Sequence, residues 1–171
     1  MVAVSLKNLI GIEDNEMRVL DHQGDNYLGG VDFDHSLVMH ALVPQVARQT
    51  GLADLSEQIR QPQGPFERLY HVLLLKAEEA KKELSTRPSA EIEVTVEMPD
   101  GDELDLILTV SREEFNALIR DRVEDTIGML EVIMARNGLS PADVAEIVLI
   151  GGSTYIPYVL ETLAQRTVLR I

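Results

Sequence analysis

Ile147-Val148-Leu149-Ile150-Gly151-Gly152-Ser153-Thr154 is a short apolar run that stops at two glycines and two hydroxyl residues. Four β-branched or leucine side chains in succession read as a buried strand, and Gly-Gly lets the backbone turn sharply and approach a neighbour closely. Tyr155 to Gln165, with Pro157 near its start, reads as a helix whose first turn faces the glycines. A strand, a glycine turn and a helix N-terminus together offer N–H groups to an anion or a polar ligand. The same pattern also describes an ordinary buried strand and tight turn, so the decision falls to the rest of the chain.

Composition narrows the field. A chain of 171 residues is long enough for one ordinary domain or two small subdomains. Cysteine is absent, which removes disulfides, thiolate catalysis and cysteine zinc sites and fits a reducing compartment. The four histidines, His22, His35, His40 and His71, show no metal-ligand spacing and read as surface or packing residues. A formal net charge of −14, with no basic cluster beyond Lys81-Lys82, argues against nucleic acid and against anionic membranes. No stretch approaches the roughly 20 apolar residues that would cross a bilayer, and no leader pattern opens the chain. A soluble, cytoplasmic protein is expected.

Outward from the opening run, the organisation is mixed. Val2–Leu6 and Met17–His22 lie on either side of Glu13-Asp14-Asn15 and read as a hairpin. Gly24-Asp25-Asn26-Tyr27-Leu28-Gly29-Gly30 is too glycine-rich for regular structure, and Val31-Asp32-Phe33-Asp34 follows it. Asp34 is placed as an N-cap for a helix carrying Leu37, Ala41, Leu42 and Val46 and ending near Gly51. Asp32 and Asp34 also admit a metal reading, although the cap is the simpler one. From Phe66 to about Arg87, apolar residues recur on one helical face. Strands Glu91–Met98 and Glu103–Val110 flank the turn Pro99-Asp100-Gly101-Asp102, whose acids lack a calcium-loop pattern. Ser111 and Glu114 form a capping box, and Val110 with Phe115 a hydrophobic staple, for a helix running to Asn137 with Gly138 as its stop. Ser140-Pro141 then opens one short turn before the last strand.

A second constellation sits on the first long helix. Glu78, Lys81, Lys82 and Ser85 are separated by three, four and seven residues, which aligns them as a polar stripe beside the apolar face. Such a stripe is either an exposed, ion-paired surface or a ligand contact: a carboxylate for ribose hydroxyls, ammonium groups for polar or anionic parts, a hydroxyl for a base edge.

Three segments carry a resemblance. Ala77-Glu78-Glu79-Ala80-Lys81-Lys82-Glu83-Leu84-Ser85, Gly24-Asp25 through Leu28-Gly29-Gly30-Val31-Asp32-Phe33-Asp34, and Ile147 through Pro157 resemble successive signatures of the seventy-kilodalton heat-shock (DnaK-type) chaperone family, in its order and at about its spacing. The family's nucleotide-binding domain has two lobes, and the chain resembles most of the second. The resemblance implies an α/β fold (α+β by content): an actin-like ATPase, ribonuclease H-like lobe with a partial mixed sheet, helices and an inserted helix-and-hairpin subdomain. Residues 1–30 and 111–171 would form a partial ATPase-core subdomain, and 31–110 the inserted upper subdomain. Glu78 and Lys81 would then address the ribose of ATP or ADP, while Lys82 would lie along an adenine face and Ser85 reach its edge. Gly151, Gly152 and Ser153 match the glycine turn under the nucleoside and α-phosphate, followed by Tyr155 and Ile156. Most members place an arginine where this chain has Tyr155; a phenol can stack on the base, but affinity and geometry would change.

Family features that handle the γ-phosphate have no counterpart in the 171 residues, and Ala3 falls where the family's aspartate is expected. Since phosphoryl transfer rests on positioning, metal and charge neutralisation, the chain alone is expected not to hydrolyse ATP; Mg2+ would act only in the intact parent. A piece of a longer stress-response chaperone is the expectation, completed by a first lobe and a substrate-binding domain. The strand Glu146–Ile150 would then lack a partner that precedes Met1, leaving a sheet edge exposed or repaired, with a homodimer through the incomplete sheet as one outcome. The alternatives are a protein-interaction module, since residues 31–110 resemble the subdomain that nucleotide exchange factors grasp, or a lobe of another actin-like ATPase.

Overall fold

A computed structural model describes residues 2–5, 8–14, 16–22 and 29–167. The chain divides into two compact units, residues 1–29 with 120–171 and residues 30–119. Helices combined with two small sheets make it an α+β protein.

The first unit carries a four-stranded sheet in the order β3-β2-β1-β6, where β1 is Val2–Ser5, β2 Asn8–Glu13, β3 Glu16–His22 and β6 Glu146–Val148. Strands β1, β2 and β3 form an antiparallel meander with a bulge between Leu9 and Ile10 of β2. The hairpin expected across Glu13-Asp14-Asn15 is present, but its first strand is β2, and Val2–Ser5 is a separate strand. Positive φ at Asp14, 48°, fits the tight turn. Strand β6 lies parallel to β1, with Ala3 opposite Glu146, Val4 opposite Ile147 and Ser5 opposite Val148. This corrects the expectation that the partner of β6 precedes Met1, because the apolar N-terminal segment itself supplies the ladder. Among the described residues, β6 has no neighbour on its other side. The strand also ends at Val148, two residues short of the expected end.

The helices of this unit are the C-terminal part of α5, Arg112–Arg136, and α6, Pro157–Thr167. The buried side chains are Leu9, Val123, Ile127, Leu130, Ile133, Met134, Val144, Ile147, Ile156, Val159 and Leu163. On α5 they recur at intervals of three and four, the spacing of one helical stripe. Gly138, at φ 68°, stops α5 in the left-handed region. Arg136 binds Asp21 with Nε to Oδ2 at 2.8 Å and Nη2 to Oδ1 at 2.6 Å, and Asn137 Nδ2 donates to the same carboxylate at 2.6 Å. Hydrogen bonds from Arg136 and Asn137 hold the Asp21 carboxyl down at about 2.

The second unit begins with α1, Gly30–Leu37, which runs through a π-helical turn, Val38–Leu42, into α2, Val43–Thr50. Pro44 explains the turn. It has no N–H for the His40 carbonyl and its ring crowds that oxygen, so Val43 N–H reaches back five residues to Val38 instead. Gly51, at φ 75°, ends α2 near the place its composition indicates. Asp34 is not an N-cap. It lies inside α1, and its side chain is only 9% exposed. After the short α3, Leu55–Gln58, helix α4 spans Glu67–Leu84 and buries Leu69, Leu73, Ala77, Ala80 and Leu84 on one face.

Strands β4, Ser89–Glu97, and β5, Glu103–Ser111, pair in unbroken antiparallel register from Ser89 opposite Ser111 to Glu97 opposite Glu103. Alternation is strict along β4, with Ala90, Ile92, Val94 and Val96 buried. Leu106, Leu108 and Val110 of β5 continue the buried face. The free edge of β5 is covered by side chains of α2: Gln45 accepts from Thr109 N at 3.1 Å and donates to Thr109 O at 2.9 Å, and Gln49 donates to Ile107 O at 3.2 Å. Two glutamines thus satisfy an edge that would otherwise invite pairing. At the start of α5 the capping box forms as the sequence indicates, with Ser111 N donating to Glu114 Oε2 at 2.8 Å and Glu114 N to Ser111 Oγ at 3.1 Å. Val110 and Phe115 are both buried beside it.

Candidate functional site

The stripe on α4 exists because the helix is amphipathic: Ala77, Ala80 and Leu84 turn inward, which leaves Glu78, Lys81, Lys82 and Ser85 on adjoining positions. Glu78 and Lys82, one turn apart, pair at 2.7 Å while remaining about half and two-thirds exposed. The hydrogen bond from Lys82 holds the Glu78 carboxyl below its usual range, and the same contact pushes Lys82 up.

Lys81 behaves differently. Its side chain is 12% exposed and its Nζ donates to Asp34 Oδ2 at 2.8 Å and to the Gly30 carbonyl at 3.0 Å. Asp34 Oδ1 also lies 2.8 Å from Nζ, yet it is buried and makes no hydrogen bond of its own. Burial pushes the Asp34 carboxyl up from its ordinary range, and Lys81 opposes that shift. The ammonium thus lies against both carboxylate oxygens. Ser85 closes the helix as its C-terminal cap, and its Oγ donates to the Lys81 carbonyl at 3.1 Å. A second clasp between the same helices joins Tyr70 Oη to His35 Nδ1 at 2.5 Å.

Asp34 is the residue that local pattern misses. Its partner lies 47 positions away, and an aspartate ahead of a helical apolar pattern reads by default as a cap. The glycine-rich segment Gly24 to Leu28 lies outside the described residues.

The opening motif lies in the other unit. Gly151 adopts φ 110° and ψ 158°, a conformation that essentially only glycine tolerates. A 3-10 turn, Gly152–Tyr155, follows; Thr154 fastens it by donating from Oγ1 to the Gly151 carbonyl at 2.6 Å and from N at 3.2 Å. The helix expected from Tyr155 therefore begins at Pro157, because Pro157 fits the first helical position and Tyr155 belongs to the turn. Gly151 and Gly152 have open space where a Cβ would stand, Ser153 is partly exposed, Tyr155 is 76% exposed, and Ile156 is buried. The structure thus gathers Glu78, Lys81, Lys82 and Ser85 on one helix and Gly151, Gly152, Ser153, Tyr155 and Ile156 on one turn.

Among the described residues, no group of three or more His, Asp or Glu side chains is arranged to hold a metal ion, and the Asp34 carboxylate faces Lys81. None of the described helices is long and apolar enough to cross a membrane.

Comparison with known proteins adds a separate line of observation. A family model described as Hsp70 protein matches residues 4–168. The chaperone protein HscA homolog of Pseudoalteromonas atlantica is 34% identical over 158 residues, which is 92% of this chain and 22% of that protein. The chaperone protein DnaK of Thermotoga neapolitana is 33% identical over 154 residues, and that of Thermotoga maritima 32% over 154 residues, each alignment covering 89% of this chain and 24% of the relative. The chain therefore spans about a quarter of the length of these relatives.

Proposed function

The chain belongs to the Hsp70 family, and from that premise we propose that it is the second-lobe portion of a chaperone nucleotide-binding domain and supplies the adenosine-binding wall of an ATP/ADP site. The observation that carries the reading is the α4 stripe, a Glu-x-x-Lys-Lys-x-x-Ser helix face whose polar groups are held by pairing rather than left to wander. Glu78 accepts from ribose hydroxyls, Lys81 donates to them, Lys82 lies along the base and Ser85 meets its edge. In the other unit, the Gly151-Gly152 turn with Ser153 offers backbone groups to a nucleotide and Tyr155 an exposed aromatic ring, whereas Ile156 is buried and offers no surface. The chain contributes binding; hydrolysis and the coupling of nucleotide to peptide capture belong to the longer protein. Calorimetry with ADP tests the reading. Weak binding by the wild type, lost in Glu78→Ala, supports it, whereas no measurable heat from either protein removes it.

A second reading is favoured by a specific feature of the β4–β5 hairpin. Its solvent face carries Glu91, Glu93, Glu97, Glu103 and Asp105, none of them ion-paired among the described residues, around an Ile107 that is 60% exposed. An acidic face with an apolar centre suits a basic protein partner, as a nucleotide exchange factor would present. Charge reversal of Glu91 and Glu93 that leaves ADP binding intact but abolishes capture by an exchange factor would separate the two roles.

A further inference from the structure

The buried pair of Asp34 with Lys81 has both a defined geometry and a consequence for ligand chemistry. We propose that Asp34 is a positioning residue that fixes the direction of the Lys81 ammonium and cancels its charge, so that Lys81 meets a ligand as one directed donor and not as a free cation. The inference rests on the adenosine reading above.

The argument begins with the donor inventory of lysine. An ammonium has three N–H groups. Among the described residues one is engaged by Asp34 Oδ2 and one by the Gly30 carbonyl, and these two set the direction of the third. A group held this way suits a hydroxyl acceptor at a defined position. It suits a phosphate poorly, because phosphate recognition draws on a whole mobile cation or a bidentate fork.

Charge points the same way. Lys81 is neutralised by Asp34, and Lys82 by Glu78, each at hydrogen-bond distance. The three charged side chains of the stripe, together with Asp34 of α1, therefore form two pairs whose fields cancel, which is of little use to an anion and of full use to a polar neutral ligand. The remaining oxygen, Asp34 Oδ1, is buried next to Nζ without a hydrogen bond, so the carboxylate faces Lys81 rather than reaching outward.

The test compares adenosine with magnesium-free ADP on the full 171-residue chain, for the wild type and for Asp34→Asn, which preserves size and removes charge. The wild-type ratio of the two affinities, at about 50 and about 300 mM salt, is the reference, because it also contains any phosphate contact made outside the stripe. In Asp34→Asn the uncompensated ammonium should shift the ratio toward ADP by about fivefold at the lower salt, and the shift should shrink at the higher salt. A residue that only held the helices together would weaken both ligands alike and leave ratio and salt dependence unmoved. Lys81→Met provides the opposite charge change and stands in if Asp34→Asn does not fold; its ratio should move away from ADP. An unchanged ratio in a folded variant overturns the proposal while leaving the adenosine reading intact. A wild type that binds neither ligand overturns the reading itself.

Discussion

Replacing Lys81 by Met is the sharpest structural perturbation available, because it removes one member of a buried pair and strands the other. Asp34 would be left 9% exposed with its closest cation gone. Breaking a buried pair from one side costs roughly 3–5 kcal/mol, since the orphaned charge stays desolvated. The carboxylate has one escape, which is to take up a proton. From an ordinary value of 3.8, protonation costs about 4 kcal/mol at pH 7 and about 1.6 kcal/mol at pH 5, at 1.36 kcal/mol per unit. The lower of the two routes sets the penalty, so Lys81→Met should lose about 3–4 kcal/mol at pH 7 and about 1.6 kcal/mol or less at pH 5. The sign follows from linkage: a carboxyl with a raised folded-state pKa binds its proton more tightly when folded, so its contribution falls as pH rises through that value. Urea unfolding followed by circular dichroism at pH 5, 6 and 7, on wild type and variant, measures this directly. A loss below about 1 kcal/mol at pH 7, or one that does not change with pH, would show that the two side chains are not the coupled buried pair described here.

Three further outcomes follow from the same geometry. Asp21, held at about 2 by Arg136 and Asn137, stabilises the first unit above the ordinary carboxylate range and loses that contribution as pH falls toward 2; Asp21→Asn should flatten the acid limb of the wild-type stability curve, which hydrogen exchange at β3 and the end of α5 reads. Ser111→Ala removes the cap that receives Glu114 N and should cost about 1 kcal/mol of stability in denaturant titration, with Glu114→Gln milder because the amide oxygen still accepts. Gln45→Ala frees the Thr109 amide and carbonyl, so the Thr109 amide should exchange faster by about fivefold or more while the interior pairs of β4 and β5 stay protected.

How far the chain could be read in advance depended on how local each signal is. Helix α4, the β4–β5 hairpin, the Ser111–Glu114 box and the Gly138 stop are each written within a few residues, as apolar periodicity, strict alternation or turn chemistry, and all four form where those signals place them. The π turn after α1 was legible in principle, since Pro44 withholds a donor from His40, but an apolar helical pattern running across it hides the register change. Asp34 was misread because capping is decided by neighbours one turn away, whereas burial against Lys81 is decided by tertiary packing. The pairing of β1 with β6 joins segments more than 140 residues apart, and nothing local in Val2–Ser5 names its partner. At the candidate site, residue types and spacing on α4 could be read, but their charge states could not: that Lys82 is exposed and Lys81 sequestered is set by α1.

The central claim is that the α4 stripe is a nucleoside-binding face. A two-dimensional amide spectrum of the isotope-labelled chain, recorded with increasing adenosine, tests it most directly, because it locates binding without assuming an effect on stability or catalysis. Shifts should concentrate at residues 78–85, with Gly30 and Asp34 following through Lys81. Saturable shifts confined to the β4–β5 hairpin, or a spectrum unmoved at millimolar adenosine, would contradict the claim.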